Sequence, residues 1–432
     1  MQKVCGIELS TDLAESFLEG GAVQALAPEI ARVADELEAR QGPGHEFLGW
    51  LDLPTATTDE TFERYDAAAA RARDDSEAVV VVGIGGSYLG ARAVLDALGP
   101  GPGAPWILYA GTGLCATQLR GVLSTLEDRD FRVCVISKSG TTLEPALSFR
   151  ILRGLLEERY GADGAARRIT AITDAEQGAL RAQADAAGWE SHVIPGDVGG
   201  RFSVLTPVGL WPLAVAGVDV RALVGGAATM RAACRDTALH ENPAHLYAAV
   251  RAALYRAGFM TEVQATFHTG LATLGEWWKQ LFGESEGKDG KGIFPTSTLY
   301  TTDLHSLGQY LQDGRRDLLE SFLVVREDGP PVTVPADVGD GGDGLDYLVG
   351  RRLDDINWQA FAGTRQAHVD GGVPCLTFAL DRLDAAAVGG LIYLFEKAVA
   401  VSGRLLGVNP FDQPGVEAYK REMFRRLGKP GS

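Results

Sequence analysis

The sequence predicts an α/β protein of two mainly parallel sheets, each covered by helices on both faces, with further helices near the N- and C-terminal ends. Three observations predict this. Short, wholly apolar runs such as Ala78–Val82 lack the alternation of a strand with one wet face, so both of their faces are buried. These runs alternate with longer stretches of helical character, the pattern of parallel β–α–β units. The alternation breaks at Gly196-Asp-Val-Gly-Gly200, gives way to a helical stretch, and then resumes.

The elements follow in order. Leu13, Phe17 and Leu18, then Leu26, Ile30, Val33 and Leu37, recur at helical spacing and predict helix over 10–40, with Ser10 or Thr11 as N-cap. Gln41-Gly-Pro-Gly44 breaks this, and a second helix is expected over 59–73. The first alternating set has strands at 78–82, 106–110, 132–137, 168–173 and 191–195. Its helices run over 88–98, from about 143, and between the last two strands. Helices at about 207–217, 219–233 and 242–257 precede the second set. That set has strands at 261–267, 293–301, 321–326 and 374–380, with helices over 270–281 and 303–312. A long apolar helix over 385–406 and a terminal one over 414–427 follow. These boundaries give an N-terminal helical segment (1–75), a first α/β domain (76–196), a second (197–408) and a C-terminal helical tail (409–432). The acidic, glycine-rich stretch 336–344 lacks the spacing and closing Glu of an EF-hand and is expected as a mobile surface loop.

Composition narrows the function. The 432 residues can form two or three domains, and 46% hydrophobic with 22% charged is ordinary for a globular protein. No uninterrupted apolar run approaches the roughly 20 residues that span a bilayer. Met1–Glu8 has no signal-peptide pattern, so a cytoplasmic protein is expected. Cys5, Cys115, Cys134, Cys234 and Cys375 show no paired spacing and read as reduced thiols. A formal net charge of −17 argues against nucleic acid and anionic membranes as partners. A small anionic substrate in a locally basic pocket remains compatible with it.

Six stretches carry chemistry. Lys279-Gln-Leu-Phe-Gly-Glu-Ser-Glu-Gly-Lys-Asp-Gly-Lys-Gly292 follows an apolar, aromatic helix. Glu284 stands where that helix is expected to end, a place that can half-desolvate a carboxylate and suit it as a general base, and Lys279, Lys288 and Lys291 suit an anionic substrate. A solvated charged turn is the plainer reading. Gly83-Ile-Gly-Gly-Ser-Tyr-Leu-Gly90 lies between strand and helix, where glycines and a helix N-terminus receive an anion; a structural tight turn is the alternative. A dinucleotide fingerprint needs Gly at position 88, which is Tyr, and no acid ends the next strand, so NAD is disfavoured. Ser137-Lys-Ser-Gly-Thr-Thr142 holds four hydroxyls, more than N-capping needs, and suits a phosphate monoester. Arg201, after Gly199 and Gly200, can stabilise developing negative charge or be a surface arginine in a turn. His305 suits proton transfer, although a lone His is more often structural. Gln413 and Lys420 lie at a loop-to-helix transition that also reads as a helix with a solvated lysine. The seven histidines offer no close ligand set, so no metal is expected.

In this order, these stretches resemble the glucose-6-phosphate isomerase family, also called phosphoglucose isomerase. Asp197-Val-Gly-Gly-Arg-Phe-Ser-Val-Leu-Thr-Pro-Val-Gly209 and Gly403-Arg-Leu-Leu-Gly-Val-Asn-Pro-Phe-Asp-Gln-Pro-Gly-Val-Glu-Ala-Tyr-Lys420 look like its two signatures. The resemblance runs from about residue 78 to 420, and the length is similar to the shorter bacterial members. It implies two sugar-isomerase-type domains and a homodimer. It also implies cofactor-free, metal-free conversion of glucose 6-phosphate to fructose 6-phosphate through ring opening and a C1–C2 proton transfer. By matching position, Glu284 is the base, His305 the ring-opening histidine from the neighbouring subunit, Lys420 the lysine at the ring oxygen and Arg201 the enediolate stabiliser. Ser87, Ser137, Ser139 and Thr142 would hold the phosphate; Gly86, Gly200, Gln280 and Gln413 would contact substrate. Lys138 receives no direct contact. Glu286 is a second acid two residues from Glu284, and the longer members carry a non-acidic residue there. Two rival readings are a non-catalytic sugar-phosphate sensor and a dual phosphoglucose/phosphomannose isomerase. A sensor need not keep Glu284, Arg201, His305 and Lys420 together.

Overall fold

The computed structural model describes residues 3–235, 238–327, 329–336 and 342–429. Most of the acidic stretch 336–344 therefore lies outside the described residues.

The N-terminal part holds β1 (Ile7–Ser10), α1 (Asp12–Glu15), α2 (Ala27–Glu38), α3 (Leu53–Ala56) and α4 (Asp59–Asp75). The first sheet is built from β2 (Ala78–Val82), α5 (Leu89–Leu98), β3 (Trp106–Ala110), α6 (Ala116–Leu126), β4 (Phe131–Ile136), α7 (Leu143–Arg167), β5 (Ile169–Thr173), α8 (Ala179–Ala187) and β6 (Glu190–Val193). Its order is β3-β2-β4-β5-β6 and every pair is parallel. β2, β4 and β5 are buried along their whole length, as their apolar sequences require. Three helices follow: α9 (Pro207–Val215), α10 (Val220–Ala233) and α11 (Pro243–Arg256). The second sheet contains β7 (Thr261–Thr266), α12 (Ala272–Glu286), β8 (Phe294–Leu299), α13 (Gly308–Asp313), β9 (Leu318–Glu327), α14 (Leu353–Asp370) and β10 (Cys375–Arg382). Its order is β1-β10-β9-β7-β8, parallel except where β1 runs antiparallel beside β10. α15 (Ala385–Leu405) and α16 (Val416–Arg426) complete the chain.

Three expectations are corrected here. The helix expected over 10–40 is broken: Ile7–Ser10 is a strand, and Gly21 at φ 84° separates α1 from a helix that restarts at Ala27 with Pro28 in its first turn. The first 75 residues are thus not purely helical, and they supply an edge strand to the second sheet. The helix expected over 270–281 continues to Glu286, so Glu284 stands in its last turn rather than beyond it. Helices α6 and α14 had no counterpart in the sequence reading. α14 buries only two residues and so shows little apolar stripe, whereas Leu119, Val122, Leu123 and Leu126 of α6 form a stripe at helical spacing that the sequence reading passed over.

The core is organised around α15, which is buried at every residue from Ala387 to Leu405 and packs on α10, α11 and α12. Its length and apolarity match a membrane span, yet 89% of its most apolar window is buried inside the protein, as in a core helix. Glu396, in the middle of α15, is fully buried, and neither carboxylate oxygen has a hydrogen-bond partner among the described residues. Burial pushes its carboxyl well above the usual range. The folded state therefore holds a proton that the unfolded chain releases. Glu396 costs nothing below its unfolded value, and stability is lost as pH rises from there toward the raised folded value. Glu396→Gln removes the titration. Its thermal midpoint should exceed that of wild type at pH 8 by roughly 2–5 °C, and the gap should close toward pH 4. Parallel melting curves across that range would refute the assignment.

Candidate active site

β2 has β3 on one side and β4 on the other, so the chain reverses direction across the sheet between β2 and β4. Open α/β sheets bind ligands at the carboxyl ends of strands flanking such a reversal. The loops after β2 and β4 are the two hydroxyl-rich loops of the sequence.

Gly83–Ser87 leaves β2 and tightens into a 3-10 turn at Gly85–Ser87. A Cβ on Gly86 would lie 2.0 Å from the carbonyl oxygen of Gly200, so the two glycine loops meet backbone to backbone. Ser203 completes the seam, its hydroxyl donating to the carbonyls of Gly200 at 2.6 Å and Gly86 at 3.3 Å. After β4, the Gly140 N–H donates to Ser137 Oγ at 2.9 Å and the Thr141 N–H to Ser139 Oγ at 3.1 Å. Thr142 sits at the N-cap of α7 without capping it. Its hydroxyl thus stays available at a helix N-terminus that favours anions. Lys138 donates instead to the Gly196 carbonyl at 3.0 Å.

Arg201 is 2% exposed, and all of its donor nitrogens are engaged. Nε donates to Ser285 Oγ at 2.8 Å. One terminal nitrogen donates to Glu284 Oε2 at 3.2 Å and Gln413 Oε1 at 3.1 Å. The other donates to the carbonyls of Pro410 at 2.6 Å and Asp412 at 3.1 Å. Burial pulls the guanidinium below its usual pKa, opposed by the neighbouring charges of Glu284 and Asp412.

Successive helix residues point about 100° apart, so the last turn of α12 sends three neighbours three ways. Ser285 faces Arg201. Glu286 turns into the core, fully buried, where Arg251 grips both of its oxygens at 2.6 and 3.1 Å. Glu284, with its side chain 30% exposed, faces a cavity of about 500 Å3. Its other oxygen accepts from Gln280 Nε2 at 3.1 Å.

That cavity gathers Gly86, Ser87, Ser139, Thr142, Gly200, Arg201, Gln280, Glu284, Gln413 and Lys420. Ser137 lies apart, lining an adjoining cavity of about 530 Å3 that shares Ser87, Ser139 and Thr142. His305 is exposed, in the 3-10 turn Thr302–His305 after β8, and does not line the cavity. The flanking lysines do not line it either. Lys279 pairs with Glu276, Lys288 with Asp412 and the Asn409 carbonyl, and Lys291 with the Leu406 carbonyl. The last two tie the end of α12 to the stretch after α15. The sequence reading did not single out Glu144, Tyr419, Met423 and Phe424, which also line the cavity. The spacing of Val416, Tyr419 and Met423 is a helical stripe that could have flagged the inner face of α16.

The Phosphoglucose isomerase family model matches residues 63–302 and 351–428; His305 falls in the interval between. A glucose-6-phosphate isomerase from Symbiobacterium thermophilum is 55% identical over 413 residues, covering 93% of this chain and 92% of that protein. Among solved structures, a hypothetical protein from Thermus thermophilus is 30% identical with a TM-score of 0.86, covering 98% of this chain and 99% of that one. A glucose-6-phosphate isomerase from Chlamydia trachomatis shares the fold with a TM-score of 0.82 at 20% identity, over 99% of this chain and 89% of that one.

Proposed function

Since the chain belongs to the phosphoglucose isomerase family and interconverts glucose 6-phosphate and fructose 6-phosphate, we propose that Glu284 carries the proton between C1 and C2. The observation behind this is the contact between the Glu284 carboxylate and the buried Arg201 guanidinium in a cavity that also holds the hydroxyls of Ser87, Ser139, Thr141 and Thr142.

The phosphate is held by Ser87, Ser137, Ser139 and Thr142 with the N-terminus of α7. It is remote from the reacting carbons, so its binding energy fixes the sugar in register. His305 and Lys420 open the ring: a proton leaves the C1 hydroxyl, a proton reaches the ring oxygen, and the C–O bond breaks to give the open aldehyde. Glu284 then takes the C2 proton, which lies alpha to the carbonyl. The electron pair moves to the C1 oxygen, forming a cis-enediolate beside Arg201, whose guanidinium already touches the base. The hydroxyl proton passes from O2 to O1, and return of the carbon-bound proton from Glu284 to C1, with the carbonyl now at C2, gives the ketose. Gly86, Gly200, Gln280 and Gln413 contact the sugar.

The same reading makes the protein a cytoplasmic homodimer in which His305 reaches a second copy's cavity. It is supported by the exposure of His305 outside its own cavity and by exposed Leu307 and Tyr310 beside it, apolar surface that a second copy would cover. Mixed dimers test it. Glu284→Gln and His305→Gln should each be nearly inactive alone. After dissociation and random re-pairing, each mixed dimer has one intact site, so activity should recover to about a quarter of wild type. A mixture that stays inactive would rule out the shared site, and full activity in His305→Gln would rule out its ring-opening role.

A further inference from the structure

We infer that the buried triad Glu262–Arg251–Glu286 is a positioning device for the proton-transferring carboxylate, with Arg251 at its centre. The inference rests on the reading of Glu284 as the base.

The last turn of α12 is a poor place to hold a carboxylate. It is the negative end of the helix dipole, and glycines stand on either side at Gly283 and Gly287. Two arginines compensate. Arg201 holds Ser285 and Glu284 from the cavity side. Arg251, on α11 and 1% exposed, holds Glu286 from the core side through two bonds. Its Nε donates to Glu262 of β7 at 2.5 Å, and the Tyr247 hydroxyl donates to the other Glu262 oxygen at 2.6 Å. Ser402 of α15 donates to Glu286 as well. Every carboxylate oxygen of the triad thus has a donor, and α11, β7, α12 and α15 are bound at one point. Burial opposes the charge on Arg251, but Glu262 and Glu286 outweigh it and keep the guanidinium protonated.

Stability alone is a weak reason for this arrangement, because apolar side chains of similar volume often stabilise a core as well as a buried ion network does. What a planar guanidinium adds is direction: two parallel bonds fix the plane of the carboxylate they meet. On a helix, fixing residue 286 fixes the heading of residue 284 two positions earlier.

The two clamps also differ during the reaction. Arg201 pairs with Glu284 itself, and that pair weakens when Glu284 takes up the substrate proton. The Arg251–Glu286 pair takes no part in the proton transfer. It therefore still holds the protonated Glu284 in line with both carbons at the moment when the proton must return to C1 rather than escape to water.

Glu286→Gln in the full-length enzyme tests this, since Gln keeps the shape and an acceptor but loses the symmetric, charged fork. We expect kcat to fall roughly 10- to 100-fold, with KM for fructose 6-phosphate within about twofold. In deuterated water, solvent deuterium at C2 of the product should rise relative to direct transfer. Arg251→Lys, which keeps the charge without the fork, should behave alike. A folded Glu286→Gln enzyme with a lower melting temperature but wild-type kcat and labelling would overturn the proposal. If that variant does not fold, Ser402→Ala is the milder probe: raised labelling supports the positioning role, and wild-type kcat with wild-type labelling overturns it. Glu284→Gln separates the two readings. Full turnover there would remove the base assignment itself, whereas an inactive Glu284→Gln beside an unaffected Glu286→Gln would remove only the positioning role.

Discussion

Glu284→Gln should lower kcat by roughly 10²- to 10⁴-fold, the usual worth of a positioned general base, while KM for fructose 6-phosphate stays near wild type. The site keeps its shape in this variant. A glutamine carbonyl still accepts from Arg201, and Gln280 can turn its own amide to meet the new one. What disappears is a group able to take and return a proton. Steady-state kinetics and the incorporation of deuterium at C2 check the expectation. A variant that turned over normally would send the search to Glu144, the other carboxylate lining the cavity among the described residues. Glu286 is a poor substitute, being fully buried with both oxygens bound by Arg251.

The second large effect belongs to Arg201. Arg201→Met strands the carbonyls of Pro410 and Asp412 and leaves Glu284 without its cation. Unmade buried hydrogen bonds of this kind suggest a loss of about 2–4 kcal/mol in stability. Removal of the proposed oxyanion stabiliser suggests a further loss of about 10²- to 10³-fold in kcat. The two losses part company in Arg201→Lys. An ammonium restores a positive charge and part of the hydrogen bonding, but it cannot serve Ser285, Glu284 and two carbonyls at once. Calorimetry should therefore show a partial recovery of the melting temperature, with kcat still well below wild type. A lysine variant with wild-type kcat would mean that a point charge suffices and the planar fork is not needed.

The parts of the molecule legible in the sequence are those written in adjacent residues. Ala78–Val82 announces a doubly buried strand, and Ser137–Thr142 announces the hydroxyl-rich loop between β4 and α7, because each signal is complete within a few positions. β1 is illegible for the opposite reason. Ile7–Ser10 becomes a strand only by pairing with Thr377–Leu380, some 370 positions away. α14 hides because just Phe361 and His368 are buried along it. The end of α12 was misjudged because Gly283 reads as a stop, whereas packing against α5, α15 and β8 carries the helix one turn further. The lysines beside Glu284 show the limit most plainly. Charge near a site suggests a ligand, but only coordinates reveal that Lys288 and Lys291 are spent on the stretch after α15. The Arg251 triad draws on α11 and β7 besides α12, and no local motif betrays it.

The reach of Arg201 has a consequence for how the enzyme comes into being. One side chain joins a turn that follows the first sheet, the last turn of α12 more than 80 positions on, and the carbonyls of Pro410 and Asp412 more than 200 positions on. A ribosome delivers these pieces in that order, and the last to emerge is as necessary as the first. Residues on one face of the first sheet, Val79, Val81 and Ile136 among them, share a core cluster with α12 and α15, so that face too waits for partners not yet translated. Until Pro410 and Asp412 are translated, Arg201 lacks the acceptors that hold its guanidinium beside Glu284.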